Sequence, residues 1–169
     1  MDELKDLIAE QIPRLRRYAR ALVGGRAQAD DLVQDTLERG WARRHLWRRG
    51  SDPRAWLFTI MHNLHVNQVR GRVRAPGLTP LEDNAPEHAW RPAAEEALIV
   101  RDLARALEQL PPEYRETVLL IGLEQMSYQE AAEVLGVPVG TVMSRLARGR
   151  ERLRALMSGQ TQPTLRRVK

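Results

Sequence analysis

Cysteine is absent from the 169 residues, which excludes a disulfide framework and any thiolate metal site. Long apolar runs are missing as well, so no membrane-spanning segment is expected. No charged-then-apolar leader with a small-residue cleavage site opens the sequence, and a cytoplasmic protein is expected. The four histidines are scattered. His62 and His65 lie near each other, but two histidines without a third ligand make a poor metal site. With no phosphate-cradling glycine motif and no nucleophile–base pair, no enzyme, cofactor or metal is expected. Lysine is nearly absent: 25 of the 27 basic residues are Arg. Genomic composition can explain that preference, but not where the charges fall.

What is present is charge arranged in blocks. Residues 1–75 hold 15 basic against 9 acidic residues, and residues 76–93 hold 1 against 3. Residues 94–133 hold 3 against 9, and residues 134–169 hold 8 against 1. Two basic blocks are separated by an acidic stretch, and each could meet phosphates. The 43% hydrophobic content is enough for packed cores.

The apolar spacing is helical almost throughout. Residues 1–12 form an amphipathic pattern, and Leu15, Tyr18, Ala19 and Leu22 follow at helical intervals until Gly24-Gly25. Asp30 or Asp31 is expected to open a second helix, with Leu32, Val33, Thr36, Leu37 and Trp41 on one face. Gly50 and Pro53 mark residues 45–54 as a loop. A third helix is expected from Arg54 to about Arg72, burying Trp56, Leu57, Ile60, Leu64 and Met61. Residues 71–93 carry Pro76, Pro80, Pro86 and Pro92 with Glu82, Asp83 and Glu87, the composition of a linker. Helical spacing resumes at Leu98, Leu103 and Leu107, and Pro111-Pro112 starts another helix. The expected fold is all-α: two small helical domains, 1–75 and 94–158, joined by a flexible linker, 76–93, with a basic tail, 159–169.

The most specific local pattern lies in the second domain. Ser127-Tyr-Gln-Glu130 has the form of a capping box, and Gly136 suits a left-handed turn. A longer helix is expected from about Thr141 to Met157. Ala132 is small where two helices would cross, and Leu135, Val137, Val142 and Leu146 would fill the space between them. This is the layout of a helix-turn-helix. Its second helix carries Arg145, Arg148, Arg150, Arg152 and Arg154 against one acid, Glu151, which suits a major groove. An ordinary helical hairpin with a solvated charged face would show the charges without the small–Gly–Val spacing. Ser144 and Arg148 are placed for base edges, with Thr141, Met143 and Ala147 beside them. Arg145 could contact DNA or pack back onto its own domain.

Taken in order, these residues resemble the extracytoplasmic-function (ECF) sigma factors of bacteria. Leu110–Leu120, Ser127–Gly136 and Gly140–Arg150 are similar to that family's C-terminal domain. Ala29–Leu37 and Trp56–Asn63 are similar to its two N-terminal signature stretches. The resemblance implies a protein that directs core RNA polymerase to promoter DNA. It places Asp31, Leu32, Gln34, Asp35 and Leu37 on the polymerase β′ subunit. Asp31 and Asp35 stand one helical turn apart, offering acids to a basic partner. It places Arg48, Arg49, Ser51, Arg54, Phe58 and Asn63 at the opened minus-ten element, where flipped bases need stacking and edge hydrogen bonds. It places Thr141, Met143, Ser144, Arg145, Ala147 and Arg148 at the minus-thirty-five element. It further implies contact with the polymerase β subunit, a linker running toward the polymerase active site, and an anti-sigma factor as regulator. Many relatives carry Arg where Met143 stands, and some carry a bulkier residue at Ala147.

Two other readings use the same residues. A stand-alone helix-turn-helix regulator leaves the 31–37 and 56–63 stretches without a purpose. A sigma mimic that only sequesters an anti-sigma factor would be expected to lose base-reading residues, yet Arg145, Arg148 and Arg150 remain.

Overall fold

The computed structural model describes residues 2–74 and 93–159, and these form seven α-helices and one 3-10 turn. Among them no helix is long and apolar enough to cross a membrane. The expected linker and tail lie almost wholly outside the described residues.

Helix α1 (Asp2–Val23) buries Leu4, Ile8, Leu15, Tyr18, Ala19 and Leu22 along one stripe. It runs unbroken through Pro13, which would ordinarily cost a hydrogen bond and a steric clash. The apolar residues on both sides bury against the same core, and that packing overrides the break. Gly24 then ends the helix at φ +75°. Helix α2 (Arg26–Ala42) starts a full turn before Asp30, because Ala29 is itself buried in the core. A 3-10 turn at Arg44–Leu46 leads to helix α3 (Pro53–Arg74). Asp52 Oδ1 accepts the Arg54 N–H at 2.9 Å, satisfying an orphan donor of the first turn. Helix α3 passes through Gly71 and is helical as far as Arg74, the last described residue of the first half.

In the second half, α4 (Ala94–Gln109) precedes α5 (Pro112–Gly122), which has Pro112 in its first turn. Helices α6 (Tyr128–Leu135) and α7 (Val139–Met157) follow. The last begins two residues earlier than Thr141, closing its first turn on the Pro138 carbonyl.

The two halves pack together. Helix α3 lies on α6, and α1 touches α4 and α5. One apolar cluster runs from Leu4 through Phe58 and Leu120 to Val142.

Candidate nucleic-acid and polymerase interfaces

The helix-turn-helix is built as its sequence requires. Ser127 Oγ accepts the Glu130 N–H at 3.1 Å, and Glu130 Oε2 accepts the Ser127 N–H at 2.8 Å. Gly136 sits at φ +65°, ψ +36°. A Cβ there would meet nothing within 4 Å, so the backbone angle alone calls for glycine. The Val137 N–H reaches back to the Ala132 carbonyl at 3.1 Å, completing a Schellman closure. Ala132, Leu135, Val142 and Leu146 are buried between the helices, and Val137 is half-buried.

This packing fixes which face of α7 is free. Met143, Ser144, Ala147 and Arg148 are exposed, while Thr141 and Arg145 are half-buried. Met143 leaves 52% of its surface open, an apolar side chain amid arginines. Ser144 Oγ donates to the Thr141 carbonyl at 3.1 Å and keeps its acceptor capacity for a ligand. Arg152 lies over the Tyr114 ring at 5.0 Å, a cation–π contact that joins α7 to α5.

On α2, Asp31, Gln34, Asp35 and Glu38 are exposed at helical intervals, with Asp30 and Arg39 exposed beside them. Gln34 Nε2 donates to Glu38 Oε1 at 3.0 Å. Glu38 belongs to this acidic face and was not among the residues expected from sequence. Leu37 is half-buried at its edge. Leu32 is fully buried at 0% exposure and is a core residue, which corrects its expected place on the polymerase-facing surface.

The third set divides. Arg48, Arg49, Ser51 and Asn63 are exposed, and Ser51 Oγ donates to the Arg48 carbonyl at 2.6 Å. Arg49 Nε stands 3.8 Å from Glu3 Oε2 in a solvent-exposed pair, a contact worth little. Phe58 is 1% exposed and packs edge-on against Tyr18. It fills the core and cannot line a base pocket from there; the expectation missed it because Phe58 shares the inward stripe of Leu57 and Met61. Trp56 is half-buried against the same core, as its inward pattern predicts.

Comparison with family models matches residues 8–62 to the sigma2 domain of PhyR and residues 101–153 to sigma-70, region 4. The ECF RNA polymerase sigma factor EcfG of Rhodopseudomonas palustris is 38% identical over 92% of this chain and 86% of its own. The chain belongs to the ECF RNA polymerase sigma factors. SigE of Mycolicibacterium smegmatis is 34% identical over 97% of this chain and 65% of its own. Among solved structures, the sigma factor RpoE in complex with the anti-sigma factor NepR from Bartonella quintana superposes with a TM-score of 0.79. It is 34% identical and covers 95% of this chain and 100% of that one. CnrH in complex with the cytosolic domain of CnrY gives 0.67 at 29% identity, covering 93% and 88%. Membership makes this sigma factor a binding protein without a reaction of its own.

Between its halves the sigma factor holds a polar cluster that sequence reasoning missed. Glu116 and Glu124, from the second half, are buried. Arg17 Nη2 pairs with Glu124 Oε1 at 3.0 Å, and Arg54 Nη2 donates to the Glu124 carbonyl at 2.8 Å. His62 Nδ1 stands 2.9 Å from Glu116 Oε2, and His65 Nε2 stands 3.7 Å from Glu116 Oε1. Arg115 donates to the carbonyls of Leu107, Glu108 and Leu110, and also to that of Leu22 at 3.0 Å. It thereby ties the end of α4 to the end of α1. Burial pushes the Tyr18 hydroxyl well above its ordinary value, with the charges of Glu116 and Glu124 adding to it. A trace of this cluster is visible in the sequence: Glu116 shares the buried stripe of Leu119 and Leu120.

Proposed function

We propose that this sigma factor divides its work among three surfaces. Residues 1–75 bind polymerase and the minus-ten element, 94–158 bind the minus-thirty-five element, and 76–93 and 159–169 serve as linker and basic tail. The acidic face of Asp31, Gln34 and Asp35, with Leu37 at its edge, meets the coiled coil of the polymerase β′ subunit, where acids beside an apolar patch suit a basic partner. Arg48, Arg49, Ser51, Arg54 and Asn63 hold the opened minus-ten strand: arginines on the backbone, and the Asn63 amide, with both donors and an acceptor, on a base edge. Thr141, Met143, Ser144, Arg145, Ala147 and Arg148 enter the major groove at minus thirty-five, the early residues on bases and the later arginines on phosphates.

One observation supports this reading most. The capped helix-turn-helix leaves Ser144 and Arg148 exposed on one face of α7, in a chain whose α2 presents an acidic face of opposite character. The sigma factor acts in the cytoplasm, where polymerase and promoters are found, and takes an anti-sigma factor as regulator, as its relatives RpoE and CnrH were solved with NepR and CnrY.

The match of residues 8–62 to a PhyR domain favours, as a second reading, a mimic that captures an anti-sigma factor without reading DNA. In-vitro transcription on genomic promoter fragments, with core polymerase alone and with the protein added, separates the two. Promoter-dependent transcripts are expected. No promoter-dependent transcript, together with no core binding in a parallel pull-down, would overturn the sigma reading and favour the mimic.

A further inference from the structure

We propose that Met143 is a specificity-determining residue that reads the C5-methyl group of a thymine in the minus-thirty-five element. This rests on the assignment of α7 to that element made above.

The exposed face of α7 is divided into two rows. Val142, Leu146 and Gly149 are buried, and their packing fixes the rotation of the helix about its axis. Met143 and Ala147 then stand one helical turn apart on one exposed row, and Ser144 and Arg148 on the next. The second row is polar. Ser144 Oγ donates to the Thr141 carbonyl at 3.1 Å and is left as an acceptor, while the Arg148 guanidinium is a fork of donors. The first row offers no hydrogen-bonding group beyond a thioether sulfur, which is a weak acceptor. Among residues 141–148, Met143 is the only large hydrophobic side chain left exposed. It is the fifth residue of α7, in the N-terminal part of a recognition helix, from which base edges are reached.

The chemistry of the major groove selects what such a row can meet. Guanine shows acceptors there, cytosine an amino donor, and adenine an acceptor and an amino donor; thymine alone adds a methyl group. A methionine laid over amino or carbonyl groups would strip their water and return no hydrogen bond, which costs free energy. Over a thymine methyl it buries apolar surface on both sides instead. Its unbranched, polarizable side chain adapts to the contact, and Ala147, being small, leaves room for the base beside it. Phosphates gain nothing from Met143 and are matched by arginines further along α7.

Deoxyuridine makes the test specific, because it keeps every hydrogen-bonding group of thymine and lacks only the methyl. Holoenzyme assembled from the full chain and core polymerase first selects its minus-thirty-five element from a promoter library randomised in that region. Each thymine of the selected element, on either strand, is then replaced singly by deoxyuridine, and holoenzyme affinity is measured by competition. At one position the replacement is expected to weaken binding by the wild-type protein about fourfold, the worth of one buried methyl group. Met143→Ala is expected to bind the thymine promoter more weakly and to bring the thymine-to-deoxyuridine ratio at that position close to one. Met143 is exposed and alanine is the best helix former, so this variant is expected to fold, which a melting curve checks. Met143→Leu keeps an apolar side chain of similar volume and is expected to retain most of the ratio. Deoxyuridine tolerated at every position overturns the proposal, as does a selected element without an A·T pair. A penalty that persists unchanged in Met143→Ala overturns it too, since another side chain would then touch the methyl. Failure of the underlying assignment shows differently: the library yields no enriched sequence in the minus-thirty-five region, which removes α7 from that element and the proposal with it.

Discussion

The Tyr18 ring stands edge-on to Phe58, with centroids 5.1 Å apart and planes at 78°. The contact joins α1 to α3 at the centre of the first half and commits Phe58 to packing. Phe58→Ala is expected to cost about 3–5 kcal/mol through the cavity it leaves, with a further loss of about 1 kcal/mol from the aromatic pair. Phe58→Leu should recover most of this. Chemical denaturation checks both, and a Phe58→Leu variant as stable as wild type yet unable to open promoters would return Phe58 to the DNA.

Ser127 holds the helix-turn-helix at its entrance. Ser127→Ala removes the acceptor for the Glu130 N–H and is expected to destabilise the protein by about 1 kcal/mol. DNA affinity at temperatures well below melting should change little, because Ser127 sits at the start of α6 and not on α7. A melting curve paired with a binding titration tests the distinction.

Gly149 marks the closest approach of α7 to α5. A Cβ there would stand 2.7 Å from Val118 Cγ2 and 3.4 Å from the Tyr114 carbonyl oxygen. Gly149→Ala gains about 1 kcal/mol of helix propensity but loses about 1–3 kcal/mol to overpacking. A net loss of about 1 kcal/mol is expected. Gly149→Val, with more bulk and no further propensity gain, should lose more. Stabilisation by Gly149→Ala in a thermal melt would mean that Val118 yields freely.

His65 predicts an acid sensitivity. Burial holds its imidazole below the ordinary value; Glu116 pulls the other way, while His62, Arg115 and Arg72 lower it further. A histidine kept neutral by folding binds fewer protons folded than unfolded. Its contribution is therefore fully present above about pH 6.5 and is lost as pH falls from there toward the depressed folded value. His65→Leu should flatten that part of the profile. Melting temperatures of wild type and variant across pH 5–8 give the comparison, and parallel curves would remove His65 as the cause.

Asp35 and Arg148 should separate two binding activities. Asp35→Ala is expected to weaken core-polymerase binding and leave minus-thirty-five DNA binding intact. Arg148→Ala should do the reverse, costing about 1–3 kcal/mol of DNA affinity if it reads a base. Loss of the same activity by both variants would show that the surfaces are not divided as proposed.

Several of these features are legible in the amino-acid sequence itself. The helix-turn-helix is readable there because its requirements are local: an oxygen acceptor at Ser127, an acid three residues later, and a left-handed backbone at Gly136. Apolar spacing likewise exposes the helical stripes, and the order of the motifs points to the ECF family. Periodicity is a poorer guide where packing competes with local signals. It misses the early start of α2, because the buried Ala29 draws the preceding turn into the helix. The family resemblance in turn places Leu32 and Phe58 on working surfaces although both are buried in the core, since a motif marks a stretch but not which of its side chains face inward. Only the tertiary structure decided the pairing of Glu116 and Glu124 with His62, His65, Arg17 and Arg54. Those partners are far apart in the chain, and nothing in the local sequence says that a basic and an acidic block will meet. Sequence determined the parts that depend on one helix or one turn; the fold decided which parts touch, and with that the contact between the two halves.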